Sequence, residues 1–185
     1  MSTNQIAFSI NASTLTNTLA KVTGIINKNP TTEYLCCVKL TINQGQLSIQ
    51  ATNMDCVIQS YDDTVSNTTD GSICVDAHSL FEIAKKLPRE SDVNFSLQNN
   101  SDSLQYLSIK SGKSKFDIAT LNAENYPETL VTEKEQTIIM ENEDLAFLID
   151  KTKTCIYTNE TRYNINGMLL NFDNDTYLWL FVSIR

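Results

Sequence analysis

Basic residues are scarce in this chain: 14 lysines and arginines stand against 22 aspartates and glutamates, giving a formal net charge of -8 and a sequence pI near 4.6. Affinity for nucleic acid ordinarily comes from lysines and arginines that release condensed counterions, so indiscriminate DNA binding is excluded and any DNA partner must be held locally or topologically. Histidine is reduced to His78, and the five cysteines (Cys36, Cys37, Cys56, Cys74, Cys155) are odd in number without C-x-x-C spacing. Neither a disulfide framework nor a zinc site is signalled, and the thiols read as reduced and buried. No apolar run approaches the ~20 residues of a membrane span, and Met1-Ser-Thr-Asn-Gln5 lacks the basic start and apolar core of a signal peptide. The expectation is a cytoplasmic protein without membrane partners or cofactors.

What is present is a repeat. A strand-to-helix pattern begins at Phe8-Ser-Ile10, at Ile73-Cys-Val75 and at Ile138-Ile-Met140, each copy 65 residues after the last. Each passes a polar helix-start residue (Asn11, Asp76, Glu141), runs into Leu15, Leu80 or Leu145, and places a lysine at the same depth: Lys21, Lys86, Lys151. A unit that cannot bury its apolar face alone builds by stacking or closing into something larger.

Leu15, Leu19, Val22 and Ile26 form one buried stripe, predicting a helix over about 12–26. Alternating strands are expected at Leu35–Ile42, Leu47–Ala51 and Cys56–Tyr61, with a turn at Asn43-Gln-Gly45; Ser66–Gly71 reads as a loop. The second copy continues with a helix over 77–87 and strands near 93–97, 104–109 and 115–118. The stretch Asn122–Gln136 is linker-like, which divides the chain into a first domain (1–127), a linker (128–136) and an incomplete second domain (137–185). At an offset of 130 residues Leu40/Leu170, Ile42/Phe172, Leu47/Tyr177 and Ile49/Trp179 are matched apolar positions. The fold class is α+β, each domain made of two strand-helix-three-strand half-units with helices on one side of antiparallel sheets.

Lys21 and Lys28 fall away from the stripe of the first helix, as do Lys86 and Arg89 in the second and Lys151 in the third. A solvated helix face is the plain explanation of any one of them. Recurrence at one repeat position points instead to a local basic lining in an acidic protein.

Two segments carry a resemblance. Gly112-Lys-Ser-Lys-Phe116-Asp-Ile-Ala-Thr120-Leu-Asn-Ala-Glu-Asn-Tyr126-Pro127 and Arg162-Tyr-Asn-Ile-Asn166-Gly167-Met168-Leu-Leu170 resemble motifs of the bacterial sliding clamp family, the beta subunit of DNA polymerase III, with weaker support from Ala51-Thr52-Asn53-Met54. The resemblance runs from about Ile6 to Leu180. It implies the DNA-clamp fold, a ring of two subunits around duplex DNA with helices lining the hole, and a non-enzymatic role tethering the polymerase III core, with a clamp loader as second partner. It implies DNA contacts at Asn29, Asn159, Arg162, Tyr163 and Asn164 beside the repeat lysines, a subunit-interface strand bearing Lys113, Lys115, Phe116 and Ile118, and Ile165 on a wall of the partner-peptide cleft. The family continues with A-T-D-G-H-R-L where this chain has Phe181-Val-Ser-Ile-Arg185. The alternative reading is therefore a truncated clamp remnant, unable to close a ring or to bind polymerase.

Other signals are weaker. Ser111-Gly112-Lys113-Ser114 lacks the upstream glycine of a phosphate loop, where Leu107 stands. The acidic pairs Asp62-Asp63 and Glu143-Asp144 leave a metal-dependent nuclease as a remote alternative, although paired acids usually serve solvation or helix dipoles. Met54, Met140, Met168 and Trp179 read as core.

Overall fold

The computed structural model describes residues 5–26, 32–99, 105–127, 140–156, 168–173 and 177–181. The chain divides into two compact units, Met1–Val131 and Thr132–Arg185. The residues expected as linker, 128–136, lie outside the described ones.

Unit 1 holds two half-units. The first runs β1 (Ala7–Asn11), α1 (Ala12–Val22), β2 (Cys37–Asn43), β3 (Gln46–Thr52), β4 (Val57–Asp62) and β5 (Ser66–Thr69). The second runs β6 (Gly71–Asp76), α2 (Ala77–Lys86), β7 (Asp92–Asn99), β8 (Gln105–Ser111) and β9 (Ser114–Asn122). All pairings are antiparallel, in the order β4-β3-β2-β6-β9-β8-β7-β1-β5. The two ends of that order, β4 and β5, follow one another in the chain, so the strand path returns to where it began. Exchanging the half-units turns the β2–β6 seam into the β7–β1 seam, a pseudo-twofold.

The repeat spacing has a physical limit. The first residues of α1 and α2 are 65 apart, but those of β2 and β7 are only 55 apart, because the connection after α1 spans 23–36 and that after α2 only 87–91. The first helix is also shorter than its stripe, giving way to a 3-10 turn at Thr23–Ile25. The loop expected at Ser66–Gly71 is largely strand: polar β5 pairs with β1, where hydrogen bonding rather than apolar alternation decides the conformation.

Caps set the helix starts. Asn11 Oδ1 accepts from the Ser13 amide at 3.0 Å and Asp76 Oδ1 from the Ser79 amide at 2.7 Å. Behind them one continuous core joins Phe8, Ile10, Leu15, Leu19 and Val22 to Leu40, Ile42, Leu47, Ile49, Ile73, Val75, Leu80, Phe95, Leu107 and Ile109. It fills the space between the helix pair and the sheets, and Leu19, Leu47, Ile49, Leu80 and Leu107 are fully buried.

A smaller cluster lies on the opposite face of β2 and β6, where Cys37, Cys74, Ala123 and Tyr126 are buried against Tyr34, Cys36 and Leu121. The Tyr126 hydroxyl donates to the carbonyls of Cys37 and Gln50, each at 3.3 Å, and so fastens to the sheet the first part of a stretch expected as linker. Burial pushes the Cys37 and Cys74 thiols up from 9.0 to about 12, and raises Tyr126 as well. The folded unit keeps these protons where the unfolded chain releases its own. Stability is therefore fully present below pH 9.0 and falls as pH rises toward about 12. We expect unfolding free energies from urea titrations to decline above the unfolded thiol pKa by about 1.4 kcal/mol per pH unit for each thiol; values flat across that window would contradict the assignment.

Of the residues expected in the core, Cys36, Met140 and Met168 are only half-buried, and Met54 and Cys56 lie at the surface. Met54 is 60% exposed with φ of 79° in the β3–β4 turn, where Asn53 Oδ1 accepts from the amides of Asp55 and Cys56. Cys56, expected buried, is exposed in the same turn. An asparagine-closed turn overrides the apolar character of its residues.

Unit 2 carries α3 (Asn142–Thr152) and the hairpin β10 (Leu169–Asp173) and β11 (Tyr177–Phe181). Its register refines the matches at an offset of 130: Leu180 stands opposite Leu170 and Leu178 opposite Phe172, as Ile49 and Leu47 stand opposite Leu40 and Ile42. The equivalents of Leu47 and Ile49 are thus Leu178 and Leu180, not Tyr177 and Trp179, because the turn between β10 and β11 is one residue longer. Glu141 precedes α3 without a side-chain cap, unlike Asn11 and Asp76.

Candidate nucleic-acid interface

The helices of unit 1 lie against one another in opposite directions. Thr16 Oγ1 donates to the Ala84 carbonyl at 3.2 Å, while the amides of Ala12 and Ser13 donate to the carbonyls of Ser91 and Arg89 at 2.9 and 3.2 Å. The start of α1 thus meets the end of α2. With buried stripes turned to the core, the outward face of α1 carries Asn17, Ala20 and Lys21 and continues to Gly24 in the following 3-10 turn, and the equivalent positions of the second half-unit are Glu82, Lys85, Lys86 and Arg89.

Lys21 and Lys86 are both exposed, each in the last turn of its helix, where a cation complements the helix dipole. Because the helices are antiparallel, the two stand at opposite ends of the pair. Arg89 is exposed but lies beyond α2 rather than on it, in the turn that receives the start of α1. Among the described residues no ion pair engages Lys21, Lys86, Arg89 or Lys151; the ion pairs there are Lys85–Glu82, Lys115–Asp117 at 3.0 Å and Lys153–Asp150 at 2.6 Å. The first holds the Glu82 carboxyl below its ordinary range. The pair offsets the charges of Glu82 and Lys85 against each other, which leaves Lys21, Lys86 and Arg89 as the net positive charge of that face.

Lys85 is a basic residue that sequence reasoning passed over, although it precedes Lys86 directly. Its ammonium lies 4.7 Å from the Phe81 ring centroid. Lys151 is exposed on α3, with its ammonium 5.2 Å from the Phe147 ring centroid. Lys28, Asn29, Asn159, Arg162, Tyr163, Asn164 and Ile165 lie outside the described residues.

The interface residues fall on one strand. β9 pairs with β8 through Ser114–Ala119 and with β6 only through Thr120–Asn122, so among the described residues no strand pairs with its outer edge over the part that carries Lys115, Phe116 and Ile118. Phe116 is 37% exposed and Ile118 half-buried, while Lys113 sits in the β8–β9 turn beside Gly112, whose φ of +56° explains the glycine as turn geometry rather than as a phosphate loop. Lys115 holds the Asp117 carboxyl below its ordinary range.

Residues expected as ordinary surface behave so. Asp62 accepts from the Thr64 amide and hydroxyl, Asp63 accepts from Gln46, and Glu143 and Asp144 occupy the first turn of α3. His78 lines a cavity of about 480 Å³ with Thr23, Ile26, Cys36, Asp76 and Phe81, and among the described residues no cluster of three metal-ligating side chains occurs. No described helix is long and apolar enough to cross a membrane.

Paired half-units, antiparallel helices on one side and antiparallel sheets on the other define the DNA-clamp fold. Residues 6–131 match the family described as DNA polymerase III beta subunit, N-terminal domain, and the chain belongs to that family. It is 30% identical over 167 residues to the beta sliding clamp of Caulobacter vibrioides and 28% identical over 169 residues to that of Vibrio cholerae. These alignments cover 90 and 91% of this chain but 44 and 45% of the relatives, so the chain spans about half the length of the curated relatives it matches. Among solved structures it is similar to a Caulobacter crescentus beta sliding clamp (TM-score 0.84, 29% identity, 94% of this chain and 45% of that one). A Bartonella birtlesii sliding clamp bound to griselimycin gives 0.82 at 26% identity, over 95 and 46%.

Proposed function

We propose that this chain is part of a non-enzymatic DNA sliding clamp, a cytoplasmic processivity factor that surrounds duplex DNA and tethers the replicative polymerase III core after loading by a clamp loader. One observation carries the reading: in an acidic chain the outward helix face of unit 1 bears Lys21, Lys86 and Arg89 outside any ion pair, beside a Lys85–Glu82 pair whose charges offset one another. Such a lining suits a duplex held by enclosure, since it meets phosphates without reading bases. Residues 1–127 would be the first clamp domain and 137–185 the opening half-unit of a second. Lys28, Asn29, Lys151, Asn159, Arg162, Tyr163 and Asn164 would extend the DNA side, Ile165 would line a cleft for polymerase and loader peptides, and the free edge of β9 (Lys113, Lys115, Phe116, Ile118) would join a second subunit in a homodimeric ring.

The test is topological. Loaded on nicked circular DNA by its loader, the protein should be retained through high salt and released when the circle is linearised. Retention on the linear product would defeat enclosure. No loading on the circle at all would favour the alternative of a remnant that cannot close a ring.

A further inference from the structure

Two neighbouring thiols of unit 1 point at one atom. The 3-10 turn Glu33–Cys36 leads directly into β2, whose first residue is Cys37. At that junction Cys36 Sγ donates to the Glu33 carbonyl oxygen at 2.9 Å, and Cys37 Sγ donates to the same oxygen at 3.3 Å. Adjacent side chains within a strand leave on opposite faces, so this convergence is a product of the turn that ends at Cys36. The two sulfurs differ in access. Cys36 is half-buried and lines the cavity of about 480 Å³ beside Thr23, Ile26, Asp76 and His78, whereas Cys37 is 4% exposed and packs behind it with Cys74 and Tyr126. An accessible thiol with a second thiol beside it is the arrangement of a redox-active cysteine and its resolving partner.

We propose that Cys36 and Cys37 form a thiol-oxidation site that reacts with a low-molecular-weight disulfide and closes to a reversible bond between the two sulfurs. The Cys36 thiolate attacks one sulfur of that oxidant, whose S–S bond breaks and whose other half leaves as a thiol. The Cys37 sulfur, its proton lost to solvent, then attacks Cys36 Sγ in the mixed disulfide and expels the second thiol. The two cysteines together lose two hydrogens, and the oxidant is reduced to two thiols. Burial pushes the Cys37 thiol up to about 12, so Cys37 is the resolving partner and closure is the slower step. Adjacent Cα atoms stand about 3.8 Å apart, closer than the roughly 4.4–6.8 Å usual for a disulfide, so the bond is strained and easily reduced. That suits a reversible mark rather than a structural clip. Closure also takes both donors from the Glu33 carbonyl, at the start of the strand whose Cys37 carbonyl accepts from the Tyr126 hydroxyl. The site rests on the thiol geometry alone and is independent of the clamp reading.

The test is mass spectrometry of the intact native chain incubated with glutathione disulfide, its unreacted thiols then blocked in denaturant. Cleavage after Lys28 and Lys39 releases peptide 29–39, which holds Cys36 and Cys37 and no other cysteine. In the wild type this peptide should first gain one glutathione on Cys36 and then lose it, ending two hydrogens lighter than its reduced form and returning to that form with dithiothreitol. Cys37→Ala should stop at the mixed disulfide on Cys36. Cys36→Ala should leave Cys37 unmodified over the same period. The exposed Cys56 shows in each sample that the oxidant is active. A wild-type peptide that stays reduced while Cys56 is modified overturns the proposal. So does one that keeps its glutathione without closing, or one joined instead to the peptide that bears Cys56 and Cys74.

Discussion

Phe8→Ala is expected to destabilise unit 1 by about 3–5 kcal/mol, the range for removing a buried aromatic ring from a core that cannot collapse around the void. Phe8 is 1% exposed, and its ring stacks on Phe95 with centroids 4.5 Å apart and planes 9° from parallel. The two residues stand directly opposite across β1 and β7, one of the two seams where the half-units join. At the other seam the equivalent pair is Ile73 opposite Leu40, which is aliphatic. The aromatic pair adds about 0.5–1.5 kcal/mol beyond area burial, so the first seam should be the more sensitive one. Ile73→Val, removing a single methylene at the second seam, should cost only about 0.5–1.5 kcal/mol. Urea unfolding followed by circular dichroism measures both, and a loss below that of Ile73→Val for Phe8→Ala would show that the seams do not bear the stability of the unit.

The second large effect concerns charge. Each lysine of the helix face that meets a phosphate should contribute about one unit to the slope of log affinity against log salt. Lys21→Ala and Lys86→Ala should each reduce the slope by about that amount, and together by about two, since the residues stand at opposite ends of the helix pair and share no partner. Lys39 is the control. It lies on the opposite face of the sheet, 6.0 Å from the Tyr126 ring centroid, and Lys39→Ala should leave the slope unchanged. Fluorescence anisotropy of labelled duplex across a salt series reads all three, and equal changes for Lys39 and Lys21 would remove the distinction between the faces.

The helices and the repeat were legible because each rests on a local signal. Leu15, Leu19 and Val22 recur at helical spacing, and Asn11 and Asp76 cap as their side chains predict. Lys21, Lys86 and Lys151 were legible for the same reason, since the 65-residue offset survives as far as the helix ends. What was not legible depends on partners distant in sequence. β5 is Ser-Asn-Thr-Thr and becomes strand only because β1 offers its edge. Tyr126 is anchored by carbonyls of Cys37 and Gln50, and Met54 turns outward because Asn53 closes a turn beneath it. Lys85 was missed because the repeat singles out Lys86, and its pairing with Glu82 is visible only in the folded helix.

The central claim is that the helix face of unit 1 is the side that meets DNA. A photo-crosslinking side chain placed at Lys21 or Lys86 tests it against one placed at Gln59, which is exposed on the outer face of β4, with all three proteins loaded on the same nicked circle. The account predicts adducts to DNA from positions 21 and 86 and none from 59. Adducts from 59, with none from 21 or 86, would place the duplex against the sheets and contradict it.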